Sequence, residues 1–518
     1  MHFQDRFTIT YNGEIYNYIE LRKELEAEGI IFKTKCDTEV LLAMYAKKGS
    51  DCLDDLDGMF AFAIWDSEKH ELFCARDRFG EKPFHYFLDE TQFIFGSEMK
   101  EIWATGIKKS IQQDKLHQFV LPNKGNTQDE LTETHFDGIK KLKNAHFLKI
   151  DRENKVTISK YWSLDNIATN NEISLEEATD KYYRLFEESV RLRLRSDVPV
   201  GSSLSGGLDS SSIVCLIDQL KNKDQNQKVF SARFRNFEKD EGVFIDKVVD
   251  SCSKVDAFTT YPAEEDILAI MDKALLHQEE PFGSSSILAQ WKVMELAKEN
   301  NVTVLMDGQG ADEYLAGYTP DTRVYINQLF FEDRKKHHVE YERYMKQYGH
   351  LHSFPKYEET ETARMKLGRI KKQLLGQPIN YLTLKDRLNN MLTEGSLQDL
   401  LRYADRNSMA HSLEVRLPFL SHKLVEFAFS LPDHFLLHEG WTKYIHRKVL
   451  EPILPQEICW RSDKIGYEPP QNKWMNNPLV LVRIKEQQKK FDIPDELMTN
   501  KSYTSSMDWK LFMSSYFN

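Results

Sequence analysis

VPVGSSLSGGLDSSSIV, residues 198–214, is the stretch on which the fold turns. A short apolar run, Val198 to Leu204, passes through Ser205-Gly206-Gly207-Leu208-Asp209-Ser210-Ser211 into the helical pattern SIVCLIDQL. That order predicts a strand, a tight glycine turn and a helix. Two glycines let the backbone reverse, so that successive N–H groups and small hydroxyls converge on an oxyanion at the helix N-terminus, where the dipole is also favourable. No Lys follows the glycines, so the pattern departs from the Walker A form. A tight turn with a Ser cap is the bland reading; the apolar strand before it and the S-G-G-L-D-S-S order make a polyphosphate cradle the better one.

Moving outward, VPVGSSL, KVFSARF and VTVLMDG are strand candidates that alternate with helical stretches, the pattern of a parallel α/β sheet. Ligands on such sheets lie at the carboxyl ends of strands. VTVLMDGQGADEYLAGY repeats the theme: a strand, Val302 to Met306, then Asp307-Gly308-Gln309-Gly310-Ala311-Asp312-Glu313. If the two strands are neighbours, Asp209 and Asp312 can share a Mg²⁺ that also holds pyrophosphate oxygens, the usual hard-oxygen magnesium set. Alone, Asp312-Glu313 reads as a helix N-cap. Two basic candidates follow, Arg416 in HSLEVRLPFL and Lys464 in CWRSDKIGYEPP; in isolation either reads as a surface or structural cation.

Upstream the texture differs. FTITYN, MFAFAIWD, ELFCARD and QFIFGSE are short strand-like runs broken by Gly, Asp and Asn, and HFLKIDRENKVTISKYWSL has the alternation of a hairpin. Asn12-Gly13-Glu14 reads as a strand-to-helix turn. A change follows at Ser174-Leu175-Glu176-Glu177, which has capping-box spacing, with Leu175, Ala178, Tyr182, Leu185 and Phe186 recurring at helical intervals. The expected division is a sheet-dominated α+β domain over 1–165 and a parallel-sheet domain over 166–518. From Asn327 to about Lys372 the chain is strongly charged and helical, and His337 and His338 are expected at its surface rather than on a metal.

Composition agrees with a folded chain of two domains or more. Of 518 residues, 41% are hydrophobic and 29% charged, enough apolar side chain to offset ordering entropy. The net charge of −12 argues against broad nucleic-acid or membrane-surface binding, both of which need a positive field, so anionic ligands must be held by local donors. Six cysteines without any CxxC pair are expected as free thiols rather than a zinc or disulfide framework. No apolar run has the length of a membrane span and residues 1–10 lack a signal-peptide core, so a cytoplasmic protein is expected.

Taken together the motifs resemble the glutamine-dependent asparagine synthetases of the B type, over nearly the whole chain. TYNGEIYNYIELR, CDTEVLL, LDGMFAFAIWD, ARDRFGEKPFHY and FGSEMK resemble a class II glutamine amidotransferase domain; SLSGGLDSSSIV, DGQGADEYLAGY, RYADRNSMAHSLEVRLPFL and WRSDKIGYEPPQNKWM resemble the synthetase domain, with its ATP-pyrophosphatase loop. The resemblance implies an α/β and α+β chain: an N-terminal Ntn-type antiparallel α/β sandwich, incomplete here, and a C-terminal adenine nucleotide alpha hydrolase-like domain with a helical C-terminal part. It implies adenylation of a carboxylate by ATP with Mg²⁺, aspartate's in the named family, then attack by ammonia, with release of AMP and pyrophosphate. Leu204 and Ala232 would line the adenine and ribose pocket. Ser205, Gly206, Gly207, Asp209 and Ser210 would hold pyrophosphate and metal, with Asp307 and Gly308 at the nucleotide. Lys464 would neutralise charge at the adenylation centre and Arg416 would support substrate or phosphate. Asn12 and Gly13 would form an oxyanion hole for glutamine, with Glu14 and Asp37 at its α-amino end. Family members often dimerise, so a homodimer is implied.

Two departures shape the expectation. The family's glutaminase nucleophile is an N-terminal cysteine, whereas residue 2 is His and no cysteine precedes Cys36, which is internal. The reading is therefore an amidotransferase domain lacking its first strands, from a frame that begins upstream, or an ammonia-dependent variant; glutamine hydrolysis by the family mechanism is not expected of the chain as written. Second, asparagine-forming members more usually carry Ser for Asp307 and Glu for Gln309. Gln309 hydrogen-bonds but accepts no proton, so base work passes to another group or to pyrophosphate. Relatives with the DGQG form include enzymes that amidate other carboxylates, such as sugar acids of surface polysaccharides. A non-catalytic ATP-binding subunit is the rival from another class; Asp209, Asp312 and Lys464 together argue against it.

Overall fold

The structure is a computed structural model that describes residues 1–121, 132–222, 224–349, 381–462, 468–494, 498 and 504–517. Its first part holds two antiparallel sheets. β1 (His2–Phe3), β2 (Phe7–Ile15), β3 (Gly58–Asp66) and β4 (Glu71–Arg76) form most of the larger one. β5 (His85–Leu88), β6 (Phe93–Gly96) and β7 (Ile139–Lys141) make the smaller, in the order β6-β5-β7. β8 (His146–Ile150) and β9 (Val156–Lys160), the expected hairpin, complete the larger as β1-β2-β3-β4-β8-β9.

The alternation in β3 explains this layering. Phe60, Phe62 and Ile64 point to a core shared with Leu21, Val40, Leu41 and Met44 from the helices Tyr18–Ala27 and Asp37–Lys48. Their small neighbours Ala61 and Ala63 face the other way, against Phe84, Tyr86 and Leu148. Successive strand side chains point to opposite faces, so bulky residues meet helices and alanines admit the second sheet. One expectation fails here: Asn12-Gly13-Glu14 is not a turn but the end of β2, paired with Ala61, Phe60 and Met59. The long β3 partner holds these turn-forming residues extended.

The helix Leu175–Arg193 opens the second part, with the Ser174–Glu177 capping box formed and Ala178, Tyr182 and Phe186 buried. Five strands follow: β10 (Val200–Ser203), β11 (Gln227–Ala232), β12 (Val255–Thr260), β13 (Val304–Met306) and β14 (Glu414–Arg416). All neighbours are parallel, in the order β12-β11-β10-β13-β14. β10 is central: the chain walks outward to β11 and β12, then returns to β13 on the other flank. The crevice between β10 and β13 is therefore the topological switch point, where open α/β sheets bind ligands.

Two further readings change. His337 is buried at 5% exposure, edge-on to Phe330 and stacked near Tyr341, while His338 is exposed as expected. The aromatic Phe330 on the preceding helix, Thr319–Glu332, supplies the cover that a charged helix face did not announce. Residues 350–372 of the charged segment lie outside the described residues. Among those described, no helix is long and apolar enough to cross a membrane.

Candidate active site

The two glycine turns meet at the switch point. Gly206 has φ +75°, a left-handed conformation that side chains rarely adopt, and packs against Phe244 and Ile245. The helix Leu208–Leu220 starts from Gly207 with no side-chain cap, so its first N–H groups are left for a ligand. Ser210 Oγ accepts the Ser205 N–H at 3.1 Å and lies 3.0 Å from Ser205 Oγ, which brings both hydroxyls to the mouth of the turn. Opposite, Gly308 presses on this loop: a Cβ there would stand 2.9 Å from Ser210 N and 3.2 Å from Asp209 Cβ. Only glycine permits that approach.

Asp307 donates its N–H to the Arg416 carbonyl at 3.0 Å. Burial pushes its carboxyl up, opposed by the Ser203 hydroxyl and the Gly308 and Gln309 N–H groups. Gln309 Oε1 is buried with no hydrogen-bond partner among the described residues. Glu313, 1% exposed, accepts a 2.7 Å hydrogen bond from Tyr318 Oη and is pushed up to about 7, first by burial and then by Asp312.

Lys443 joins the two loops. Its Nζ lies 2.7 Å from both carboxylate oxygens of Asp209 and 2.5 Å from Asp312 Oδ1. Gly317 makes room, since a Cβ there would fall 1.8 Å from Asp312 Oδ1 and 2.4 Å from Lys443 Cε. Two carboxylates that converge on one ammonium also fit a divalent cation: both are hard donors within reach of a single point. Among the described residues no three His, Cys, Asp or Glu gather into a protein-only metal cage; Mg²⁺ is ordinarily bound by one or two carboxylates plus substrate phosphates and water.

The two carboxylates and both glycine turns line a cavity of about 340 Å³, with Lys443 behind them rather than in its lining. Leu204, Ser205, Gly207, Asp209, Ser210 and Ala232 line one wall, and Asp307, Gly308, Gln309 and Asp312 the other. Gly206 sits behind that lining, its carbonyl accepting from Arg461 Nη1 at 3.2 Å. Sequence reasoning gave no role of their own to Lys443, Arg461, Glu313 and Tyr318. The last two belong to the quoted ADEYLAGY run; GWTKYIHRK and the Arg461 neighbourhood carry no spacing that links them to residues over 200 positions away. Lys464 lies outside the described residues.

Arg416 is not in that cavity. Its guanidinium donates to the Arg193 and Arg195 carbonyls at 2.9 and 2.5 Å, pairs with Glu414 at 2.6 Å and reaches Glu14 at 3.5 Å. It thus ties β14 to β2. The four residues singled out for glutamine sit together: Asn12, Gly13 and Glu14 on β2, and Asp37 at the start of a helix, its Oδ2 accepting from Tyr11 Oη at 2.8 Å and Ile15 N at 3.0 Å. Asn12 Nδ2 donates to Ser97 Oγ at 3.1 Å. Glu14 is pushed up to about 7 by burial, then by Glu414, against the pull of Arg416. A larger cavity, about 460 Å³, opens between the two parts; none of the residues chosen from sequence lines it.

An antiparallel two-sheet part joined to a parallel α/β sheet, with two glycine turns meeting at its switch point, defines a two-part α/β class of protein. Comparison with known families makes this specific. A family model described as "Asparagine synthase" matches residues 181–506, and one described as "Glutamine amidotransferase domain" matches residues 1–162. The chain belongs to the asparagine synthase family. Two relatives from Bacillus subtilis are named glutamine-hydrolyzing asparagine synthetases 3 and 1. The first is 33% identical, aligned over 88% of this chain and 75% of its own length; the second is 31% identical, over 92% and 78%.

Proposed function

We propose that the protein is an ATP-dependent amidoligase that converts aspartate to asparagine, with nitrogen from glutamine or ammonia. The names of its relatives supply asparagine as the product and glutamine as the hydrolysed donor, from which aspartate follows as the carboxylate; the Asp209–Lys443–Asp312 cluster beneath an uncapped helix N-terminus is the observation that carries the chemistry. In this reading a side-chain carboxylate oxygen attacks the α-phosphorus, the α–β bridging P–O bond breaks, and pyrophosphate leaves. Ammonia then attacks the acyl carbon, the C–O bond to AMP breaks, and a proton is lost from nitrogen. Leu204 and Ala232 flank the base and ribose. Ser205, Gly206, Gly207, Ser210 and the N-terminal N–H groups of the helix Leu208–Leu220 hold the departing pyrophosphate, and Lys443 balances its charge. Asp209 and Asp312 are the residues that would hold Mg²⁺, which when bound screens phosphate charge. Lys464 is assigned to the adenylation centre on its motif alone. Arg416 is assigned a supporting role, holding the Asp307 loop by its carbonyl. Asn12, Gly13, Glu14 and Asp37 are assigned to the glutamine carboxamide and α-amino group.

Exchange of labelled pyrophosphate into ATP, with aspartate and Mg²⁺, tests the reading. Aspartate-dependent exchange that Asp209→Ala abolishes is the expected result. No exchange with any carboxylate overturns it. A second substrate reading is favoured by one observation: Asp307 and Gln309 stand in the cavity wall, with the Gln309 carbonyl oxygen buried and unpartnered among the described residues. That acceptor suits a hydroxyl-bearing carboxylate such as a sugar acid, and exchange with a uronic acid but not with aspartate would move the assignment there.

A further inference from the structure

Two thiols outside the nucleotide cavity lie almost in contact. Cys215 and Cys252 are 37 residues apart in sequence, yet their Sγ atoms are 3.9 Å apart. Cys215 is on the helix Leu208–Leu220 and is 4% exposed; Cys252 follows the last residue of the helix Gly242–Ser251 and is only half-buried. The two thiols hydrogen-bond to one another, which lowers the Cys252 thiol and raises that of Cys215. Cys52, Cys74 and Cys459 are buried, and burial pushes their thiols up. An accessible sulfur within 3.9 Å of a second, sheltered thiol is the arrangement that oxidant-sensing cysteines use.

We propose that Cys252 and Cys215 form a dithiol oxidation site, with a hydroperoxide as oxidant. The Cys252 thiolate attacks the terminal peroxide oxygen, the O–O bond breaks, and Cys252 becomes a sulfenic acid as hydroxide or alkoxide leaves. The Cys215 sulfur then attacks the Cys252 sulfur, its proton leaves with the hydroxyl as water, and an S–S bond forms. The two sulfurs together lose two electrons, both taken by the peroxide. A thiol reductant reverses the bond by exchange.

The disulfide bears on the site through the two helices it joins. An S–S bond is about 2.05 Å long, so the sulfurs must close by almost half their present separation. One helix carries Asp209 and Ser210 in its first turn; the other, through Phe244 and Ile245, is the surface on which Gly206 packs. Drawing Cys215, in the middle of the first helix, toward Cys252 at the end of the second shifts both supports of the phosphate cradle, and oxidation slows nucleotide use. This last step rests on the proposed ATP-dependent activity; the oxidation itself does not.

The test uses the full chain treated with hydrogen peroxide, alkylated with iodoacetamide and digested without reduction. Mass spectrometry should find the Cys215 and Cys252 peptides linked, with loss of two hydrogens, and pyrophosphate exchange should fall several-fold and recover with dithiothreitol. Cys215→Ser should keep its exchange rate through peroxide and leave a Cys252 sulfenic acid that dimedone traps; Cys252→Ser should be equally resistant without the dimedone adduct. Absence of the linked peptide overturns the site, and needs no variant to fold. A linked peptide with unchanged exchange overturns the coupling. If untreated protein shows no exchange, the ATP reading has failed, and the peptide map still decides the oxidation site.

Discussion

At the scale of single residues, Lys443 is the most consequential side chain. It is 4% exposed and holds two acidic groups whose repulsion would otherwise spread the loops. Lys443→Met is expected to cut AMP release on the order of 10²–10³-fold, the cost of losing one preorganised charge partner in a site of this kind; a loss under tenfold would remove it from the chemistry. Gly317→Ala tests the same cluster by crowding alone. Its Cβ would collide with Asp312 Oδ1, so exchange should collapse while far-ultraviolet circular dichroism is unchanged. Glu14 sets a pH dependence. Its carboxyl ordinarily titrates near 4.5 and is pushed up to about 7, so the folded state binds the proton more tightly. That stabilisation is full below pH 4.5 and is lost as pH rises through about 7. Glu14→Gln stays neutral, so its melting temperature relative to the parent should climb between those values and then level off. A flat difference would contradict the shift.

Among elements, those legible in sequence carry their own signals. The Ser174–Glu177 capping box forms as read, because both halves of the motif lie within one turn. Ser174→Ala should cost about 1 kcal/mol in urea unfolding. The strands β2, β3, β4, β6 and β10 were visible as apolar runs. β14 was not: Glu414-Val415-Arg416 is three residues with two charges, and it is a strand because β13 offers it a ladder. β12 escaped notice for a related reason, being a half-exposed edge with no strong alternation. Asn12-Gly13-Glu14 misled in the opposite direction. Turn-prone residues stay extended there because β3 crowds them; a Cβ on Gly13 would stand 2.1 Å from the Met59 carbonyl oxygen.

Across the whole molecule, buried polar contacts bind the antiparallel part to the parallel part. Glu279 caps the helix Met99–Ala104 from the other side, its carboxylate accepting the Met99 and Lys100 N–H groups at 2.8 Å each. Lys82 and Asp405 pair at 3.2 Å with both side chains under a tenth exposed. Removing Lys82 leaves buried Asp405 with the longer contact to Arg406 at 3.7 Å, so Lys82→Met should destabilise by up to about 3 kcal/mol, the low end for a broken buried pair. Calorimetry should show the loss as earlier unfolding with the two parts less coupled; an unchanged transition would mean that the interface does not depend on this pair.

What the sequence determined by itself was local: glycine turns after apolar strands, hydroxyls beside them, a capping box, and alternation that separates an antiparallel layer from a parallel one. Those signals fall within a few residues of each other, so short-range geometry suffices to read them. Only the tertiary structure brought Asp209, Asp312 and Lys443 to one point, moved Arg416 from the cavity between the glycine turns to the contact with Glu14, and set Cys215 beside Cys252. The reason is physical. Where β13 inserts beside β10 is decided by burial over the whole sheet, and no local pattern records which distant side chains that insertion makes neighbours.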